Sequence, residues 1–251
     1  METMTNKDTL FLNEKMGEIP FNFDQSTTNV FDDMLNRSVP FYQEIQNIIT
    51  ETAVQHLSQK KQPTVIDFGC SLGTTLINIG TEIQTPSTLI GLDYSPSMLD
   101  EAKTNSTRNK SLIKHTVKWM EQDLNKDFSH PLPESNLITM ILTLQFIKKE
   151  NRLGLLKKLH KTLASDGIFI LVEKTIEKDK WTTDYFEKEY YKFKTKSGYS
   201  EKEIKNKKKA LKTVLTPLTK DENINLLKCA GFSLAAPIFQ WYNFTVILGK
   251  K

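Results

Sequence analysis

The sequence predicts an α/β protein built on an open, doubly wound and mostly parallel sheet. Three observations predict it. From residue 64 onward short apolar runs alternate with amphipathic stretches, the pattern of a parallel sheet covered by helices. The first run enters a turn with glycines at 69 and 73 that leads into a helix, as the first strand of such sheets does. Finally, 251 residues with 38% hydrophobic and 25% charged side chains can bury a sizeable core of ordinary globular type.

Residues 1–62 precede the first strand and are read as a helical leader that lids the site; residues 63–251 are read as the sheet-bearing domain. Strands are expected at 64–68 (TVIDF), 88–94 (TLIGLDY), 117–123 (VKWMEQD), 137–144 (LITMILTL) and 167–174 (GIFILVEK). Between them, SPSMLDEAKTN starts a helix with Ser95 as N-cap and Pro96 at the first helical position. A second helix, KENRLGLLKKLHKTLAS, repeats leucine at helical spacing and stops near Asp166 and Gly167. The stretch 175–215 is aromatic and lysine-rich and reads as a helical insertion. After it, AGF and IFQWYNFTVIL (238–248) are expected to supply two last strands. Right-handed crossovers between these units give the open sheet, with ligands at the carboxyl ends of the strands.

Several function classes are disfavoured at this level. No apolar stretch is long enough to span a bilayer, and METMTNKDTLF lacks the apolar core of a secretory signal, so a cytoplasmic protein with no membrane partner is expected. Cys70 and Cys229 have neither metal-ligand spacing nor the density of a disulfide scaffold, which fits a reducing compartment and no metal. A net charge of +4 is too mild to imply direct nucleic-acid binding. The basic run EKEIKNKKKALK (201–212) is read as a solvated helix face, because Glu201 and Glu203 interrupt it. His115 and His160, on or near helices, are read as surface residues rather than catalytic ones.

The turn Gly69-Cys70-Ser71-Leu72-Gly73 spells D-x-G-x-x-x-G from Asp67, not G-x-G-x-x-G. A pyrophosphate turn wants a third glycine for close packing, so a dinucleotide is disfavoured. Asp93, placed to end the second strand twenty residues after Gly73, can accept both hydroxyls of a ribose. Asp123 at the third strand can take an adenine amine while the N–H of Leu124 reaches a ring nitrogen. Acids at strand ends can also cap the next helix. Three together, Asp67, Asp93 and Asp123, describe an adenosine ligand whose tail is cationic rather than phosphorylated, as in S-adenosylmethionine.

The motifs VIDFGCSLG, IGLDYSPSML and EQDL resemble the first three cofactor motifs of class I S-adenosylmethionine-dependent methyltransferases. The GCSLG turn, the leader (DTLF, then FNFDQSTTNVFDDMLNRSVPFY), LTLQF, EK, GYSEKEI and FQWYNF further resemble the carboxy-S-adenosylmethionine synthase family across nearly the whole chain. The resemblance implies a Rossmann-like fold and a homodimer acting on a small molecule. It also implies carboxyl transfer from prephenate to the methyl carbon of S-adenosylmethionine, serving tRNA wobble-uridine modification. By position it implies that Tyr42 closes over the cofactor's amino-acid end and that Gly69, Cys70, Ser71 and Gly73 form the turn. Asp93, Tyr94 and Met98 belong to the ribose motif, and Asp123 with Leu124 to the adenine pair.

Two positions depart from the family. Ile141 stands where the family has asparagine, and Lys208 where it has arginine. An arginine fork grips a carboxylate at two points, whereas lysine offers one charge on a flexible stem. Catalytic residues are therefore open, with Lys208 and Tyr42 as candidates. The leading expectation is a methyltransferase of a small acceptor derived from this family, with S-adenosylhomocysteine as coproduct. The alternative is a carboxy-S-adenosylmethionine synthase with Lys208 in the arginine's role, and a third is a non-enzymatic cofactor-binding or RNA-associated protein. The aromatic stretch 181–193 is the expected acceptor wall, with packing as its competing role.

Overall fold

In the computed structural model, which describes residues 6–128 and 130–251, the apolar runs become seven strands. These are β1 (Thr64–Phe68), β2 (Thr88–Asp93), β3 (Thr116–Glu121), β4 (Ser135–Ile141), β5 (Leu163–Lys174), β6 (Leu234–Trp241) and β7 (Phe244–Lys250). They form one sheet of order β3-β2-β1-β4-β5-β7-β6, parallel from β3 to β5 and antiparallel at β7 and β6. The leader folds into α1 (Lys15–Glu18), α2 (Gln25–Thr28), α3 (Phe31–Ser38) and α4 (Tyr42–Leu57). Next come α5 (Thr74–Glu82), α6 (Pro96–Arg108), α7 (Lys149–Thr162), α8 (Lys180–Lys196), α9 (Glu201–Leu211) and α10 (Lys220–Ala230). Among the described residues no helix is long and apolar enough to cross a membrane.

The two-residue alternation of the strands divides the core. Val65, Leu89, Ile168, Ile170 and Val172 pack on one face against Ile45, Ile49 and Leu57 of α4 and Leu76 and Ile79 of α5. Ile66, Phe68, Ile90, Leu92, Phe169 and Leu171 pack on the other face against Leu155, Leu156 and Leu159 of α7. Each fully buried isoleucine or leucine contributes about 1.5–3 kcal/mol, which ties the leader firmly to the sheet through α4.

Ser95 caps α6 through its hydroxyl to the Met98 N–H, with Pro96 behind it, as the sequence predicts. Other boundaries differ from expectation for identifiable reasons. β4 stops at Ile141 because Leu142 takes a left-handed conformation (φ 54°), after which Leu144–Phe146 form a single 3-10 turn. α7 stops at Thr162, before Asp166, because Leu163 already pairs with Ser135 in the sheet. AGF is not a strand: Ala230 closes α10 and Gly231 caps it at φ 114°. The stretch 238–248 folds back on itself at Tyr242 (φ 42°) and so serves as parts of both β6 and β7.

His115 is not a surface residue. It is buried between α5 and the entry to β2, with Nδ1 accepting from the Ser87 N–H at 3.1 Å, so Nε2 donates to the Gly80 carbonyl at 2.8 Å. Burial pushes its pKa down, which keeps that neutral form. His160 is half-buried, edge-on to Phe232 at 5.1 Å.

Candidate functional site

The carboxyl ends of the parallel strands open onto one pocket, closed from above by the leader. At its centre β1 hands over to the glycine turn. The N–H groups of Gly69 and Cys70 both donate to the Leu92 carbonyl, at 2.7 and 3.0 Å, so the turn is strapped to β2. Gly69 sits at φ 77° and a Cβ there would collide with the Thr143 side chain, which makes glycine obligatory at this close approach. Asp93 completes the strap: its two carboxylate oxygens accept from the N–H groups of Ser71 and Ser95, each at 2.9 Å. Each oxygen retains a lone pair for a ligand diol.

Asp67 and Asp93 are both buried on the pocket wall, and among the described residues neither forms an ion pair. Burial pushes the Asp67 carboxyl up to about 7, against a 2.7 Å hydrogen bond from the Thr139 hydroxyl that pulls it down. Burial also raises Asp93, although the backbone donors oppose it. Two desolvated carboxyls on one cavity wall, neither of them ion-paired to the lysines on the far side, fit a ligand that brings its own positive charge. Asp123 differs. It lies two residues beyond the end of β3 rather than within it, and is more exposed. Burial raises its pKa less than the hydrogen bonds from Asn125 and Lys126 lower it, so it stays ionised.

The leader supplies the roof. Tyr42 starts α4, where burial pushes its phenol well above the usual range and the Gln46 and Thr74 side chains hold it, so it remains protonated. Phe23 stands edge-on to Tyr94 at 6.0 Å and to Phe146 at 5.2 Å, joining the leader to the mouths of β2 and β4. Among the described residues no cluster of three potential metal ligands occurs.

The pocket thus brings together Tyr42, Asp67, Gly69, Cys70, Ser71, Asp93, Tyr94, Asp123, Leu124 and Ile141 of the expected residues. Three others do not line it. Gly73 caps α5 in left-handed conformation beneath the Trp119 ring, and Met98 is buried under α6 among Phe11, Phe31 and Leu72. Lys208 points away and pairs with Glu187 at 2.7 Å, with most of its side chain in solvent. The aromatic stretch 181–193 is no acceptor wall either: Trp181 is exposed and Tyr190 packs behind the pocket against Phe244. Sequence reasoning overlooked Gln122, Asn125, Gln145, Lys174 and Lys207, which do line it. Lys174 had a signal, since it ends an apolar strand on the same side as Ile168, Ile170 and Val172.

A methyltransferase domain model matches residues 66–169. A carboxy-S-adenosyl-L-methionine synthase from Methylococcus capsulatus is 39% identical over 232 residues, 92% of this chain and 93% of that one. One from Sulfurimonas denitrificans is 40% identical over 92% of this chain and 94% of its own length. Solved structures share the fold. An O-methyltransferase family protein from Burkholderia thailandensis matches with a TM-score of 0.62 at 16% identity, over 93% of this chain and 64% of that one. Human N-acetylserotonin methyltransferase, solved in complex with SAM, matches with a TM-score of 0.58 at 17% identity; the match covers 97% of this chain and 59% of that one.

Proposed function

The chain belongs to the carboxy-S-adenosyl-L-methionine synthase family, and from that premise we propose that it transfers a carboxyl group from prephenate to the methyl carbon of S-adenosylmethionine. It is an S-adenosylmethionine-dependent transferase with a methyltransferase-type domain. The observation that carries the carboxyl reading is the polarity of the pocket, which is acidic over β1 and β2 and lysine-lined over β5 and α9.

In the proposed site, Asp67 and Asp93 face the cationic part of the ligand, Asp93 takes the ribose diol, and Asp123 with the Leu124 N–H takes the adenine. Tyr42 closes over the amino-acid end, and the leader aromatics exclude water. When bound, S-adenosylmethionine supplies the acceptor carbon: the carboxyl replaces a methyl proton, which leaves with the prephenate ring hydroxyl as water while the ring becomes aromatic.

Methyl transfer to a small acceptor is the second reading. It is favoured by Ile141, which presents hydrocarbon where the family has an amide. Incubation with S-adenosylmethionine and prephenate, followed by mass spectrometry of the cofactor, separates the two. A product heavier by one CO₂ is expected, and an unchanged cofactor refutes carboxyl transfer. We further propose a cytoplasmic homodimer. Its support is an exposed aromatic patch in which Trp181 and Tyr185 stack at 5.6 Å beside Tyr242. Light scattering at micromolar concentration should give twice the chain mass, and a monomeric mass overturns the dimer.

A further inference from the structure

We infer that Lys174 is the anion receptor of the pocket, holding a ligand carboxylate in the place where the sequence points to Lys208. This rests on the reading of the pocket as a carboxylate-handling site.

The sheet itself lays out the charges. Lys174 ends β5, and the strand order sets β5 two places from β1 with β4 between them. Asp67 is level with Thr139 on β4 and Thr139 with Ile170 on β5, so Lys174 lies two strands across and four residues further toward the mouth of the pocket. At about 4.8 Å per strand and about 3.3 Å per residue the two backbone positions lie roughly 16 Å apart, a gap that the two side chains reach into from either end. They also share a face. Lys174 follows Ile168, Ile170 and Val172 at alternate positions, as Asp67 follows Val65, and both groups belong to the leader side of the sheet. The strand between them ends at Ile141, an apolar floor. A ligand with a cationic centre and a carboxylate within that span matches the arrangement.

The second observation is the state of the amine. Among the described residues Lys174 Nζ has no hydrogen bond and no ion pair; it stands over the Tyr190 ring, 4.7 Å from its centre, while the Glu187 carboxylate and the Lys208 ammonium act on it only at longer range and with opposite sign. A ring face positions an ammonium without neutralising it. Of the neighbouring cations, Lys194 is buried over the same Tyr190 ring at 5.0 Å but does not line the pocket, and the others are engaged. Lys207 Nζ donates to Ser38 Oγ at 2.9 Å and lies 3.9 Å from the buried Asp8. Lys208 takes Glu187, which also accepts from the Tyr191 hydroxyl at 2.6 Å. Arg37 donates to the carbonyls of Ser197 and Gly198 and to Asp33. The Lys174 backbone is anchored by its N–H to Gln145 Oε1 at 3.3 Å, beside the pocket. An anion arriving there meets a desolvated, unpaired ammonium, where Coulombic attraction is strongest.

The test compares two ligands that differ by one carboxylate, S-adenosylmethionine and carboxy-S-adenosylmethionine, by calorimetry on the full chain. Lys174→Met should bind the first within about twofold of the unmodified protein and the second at least tenfold more weakly. Lys174→Arg should recover most of the loss, and Lys208→Met should change neither affinity beyond about twofold. Equal weakening toward both ligands, or a selective loss in Lys208→Met instead, overturns the inference. A selective loss of prephenate binding in Lys174→Met, with carboxy-S-adenosylmethionine unaffected, supports the receptor and assigns the anion to the donor. Turnover separates this inference from the reaction proposed above. Carboxylated product together with unaltered discrimination in Lys174→Met sinks the lysine and leaves the reaction standing. Selective loss without any product sinks the reaction and leaves the lysine standing.

Discussion

Replacing Asp67 with asparagine isolates the electrostatics of the acidic side of the pocket. The carboxyl is fully buried, and burial holds it at about 7 against an ordinary value of 3.8. Folding therefore favours the protonated acid. The stability it supports is present at low pH, and is lost as pH rises from the unfolded value through the folded one. At about 1.4 kcal/mol per pH unit the whole effect is roughly 4 kcal/mol, of which about 3 kcal/mol sets in between about pH 5 and about pH 8. The substituted asparagine keeps an oxygen for the 2.7 Å bond from Thr139 but does not ionise. Any fixed cost of its amide cancels when the two conditions are compared. In urea unfolding without ligand, the stability of Asp67→Asn relative to the unmodified protein should thus rise by about 2–3 kcal/mol between those conditions. The affinity of the unmodified protein for S-adenosylmethionine should move the other way, strengthening about tenfold from about pH 6 to about pH 8 as the carboxylate forms, and the variant should lose that slope. A stability difference that stays constant with pH refutes the argument, since it would mean that Asp67 ionises as easily folded as unfolded.

Asp93→Ala should weaken S-adenosylmethionine binding at least tenfold and lower Tm as well, because the N–H groups of Ser71 and Ser95 lose their acceptor along with the ligand diol. Calorimetry with undiminished affinity would remove Asp93 from the site. The preference for carboxy-S-adenosylmethionine over S-adenosylmethionine should fade as pH rises above about 8, since burial, reinforced by Lys208 and opposed by Glu187, brings Lys174 down to about 8. A bound anion raises that value, which places the loss between about pH 8 and about pH 10, and Lys174→Arg should show no such fade. A flat profile in the unmodified protein counts against Lys174 as the group that titrates.

Much of this protein was written locally in its sequence. The first strand runs over the predicted residues, Thr64 to Phe68, and the Ser95-Pro96 helix start and the acids near three strand ends follow from neighbours a few positions apart. Such features depend on a two- or 3.6-residue period or on one capping contact, all of which a linear chain displays. Only tertiary structure decided which strand lies beside which. The order β3-β2-β1-β4-β5 brings the three acids together and sets Lys174 beyond Ile141, although residue 67 and residue 174 are far apart in the chain. Lys207 and Lys208 show the same limit on a single helix. Consecutive residues turn by about 100° around the axis, so the choice of the inward lysine depends on how α9 docks. That docking turned Lys207 toward Ser38 and the pocket, and left Lys208 to Glu187 and solvent. A run of lysines reads the same from either side; the packing around it gives each one a different charge environment.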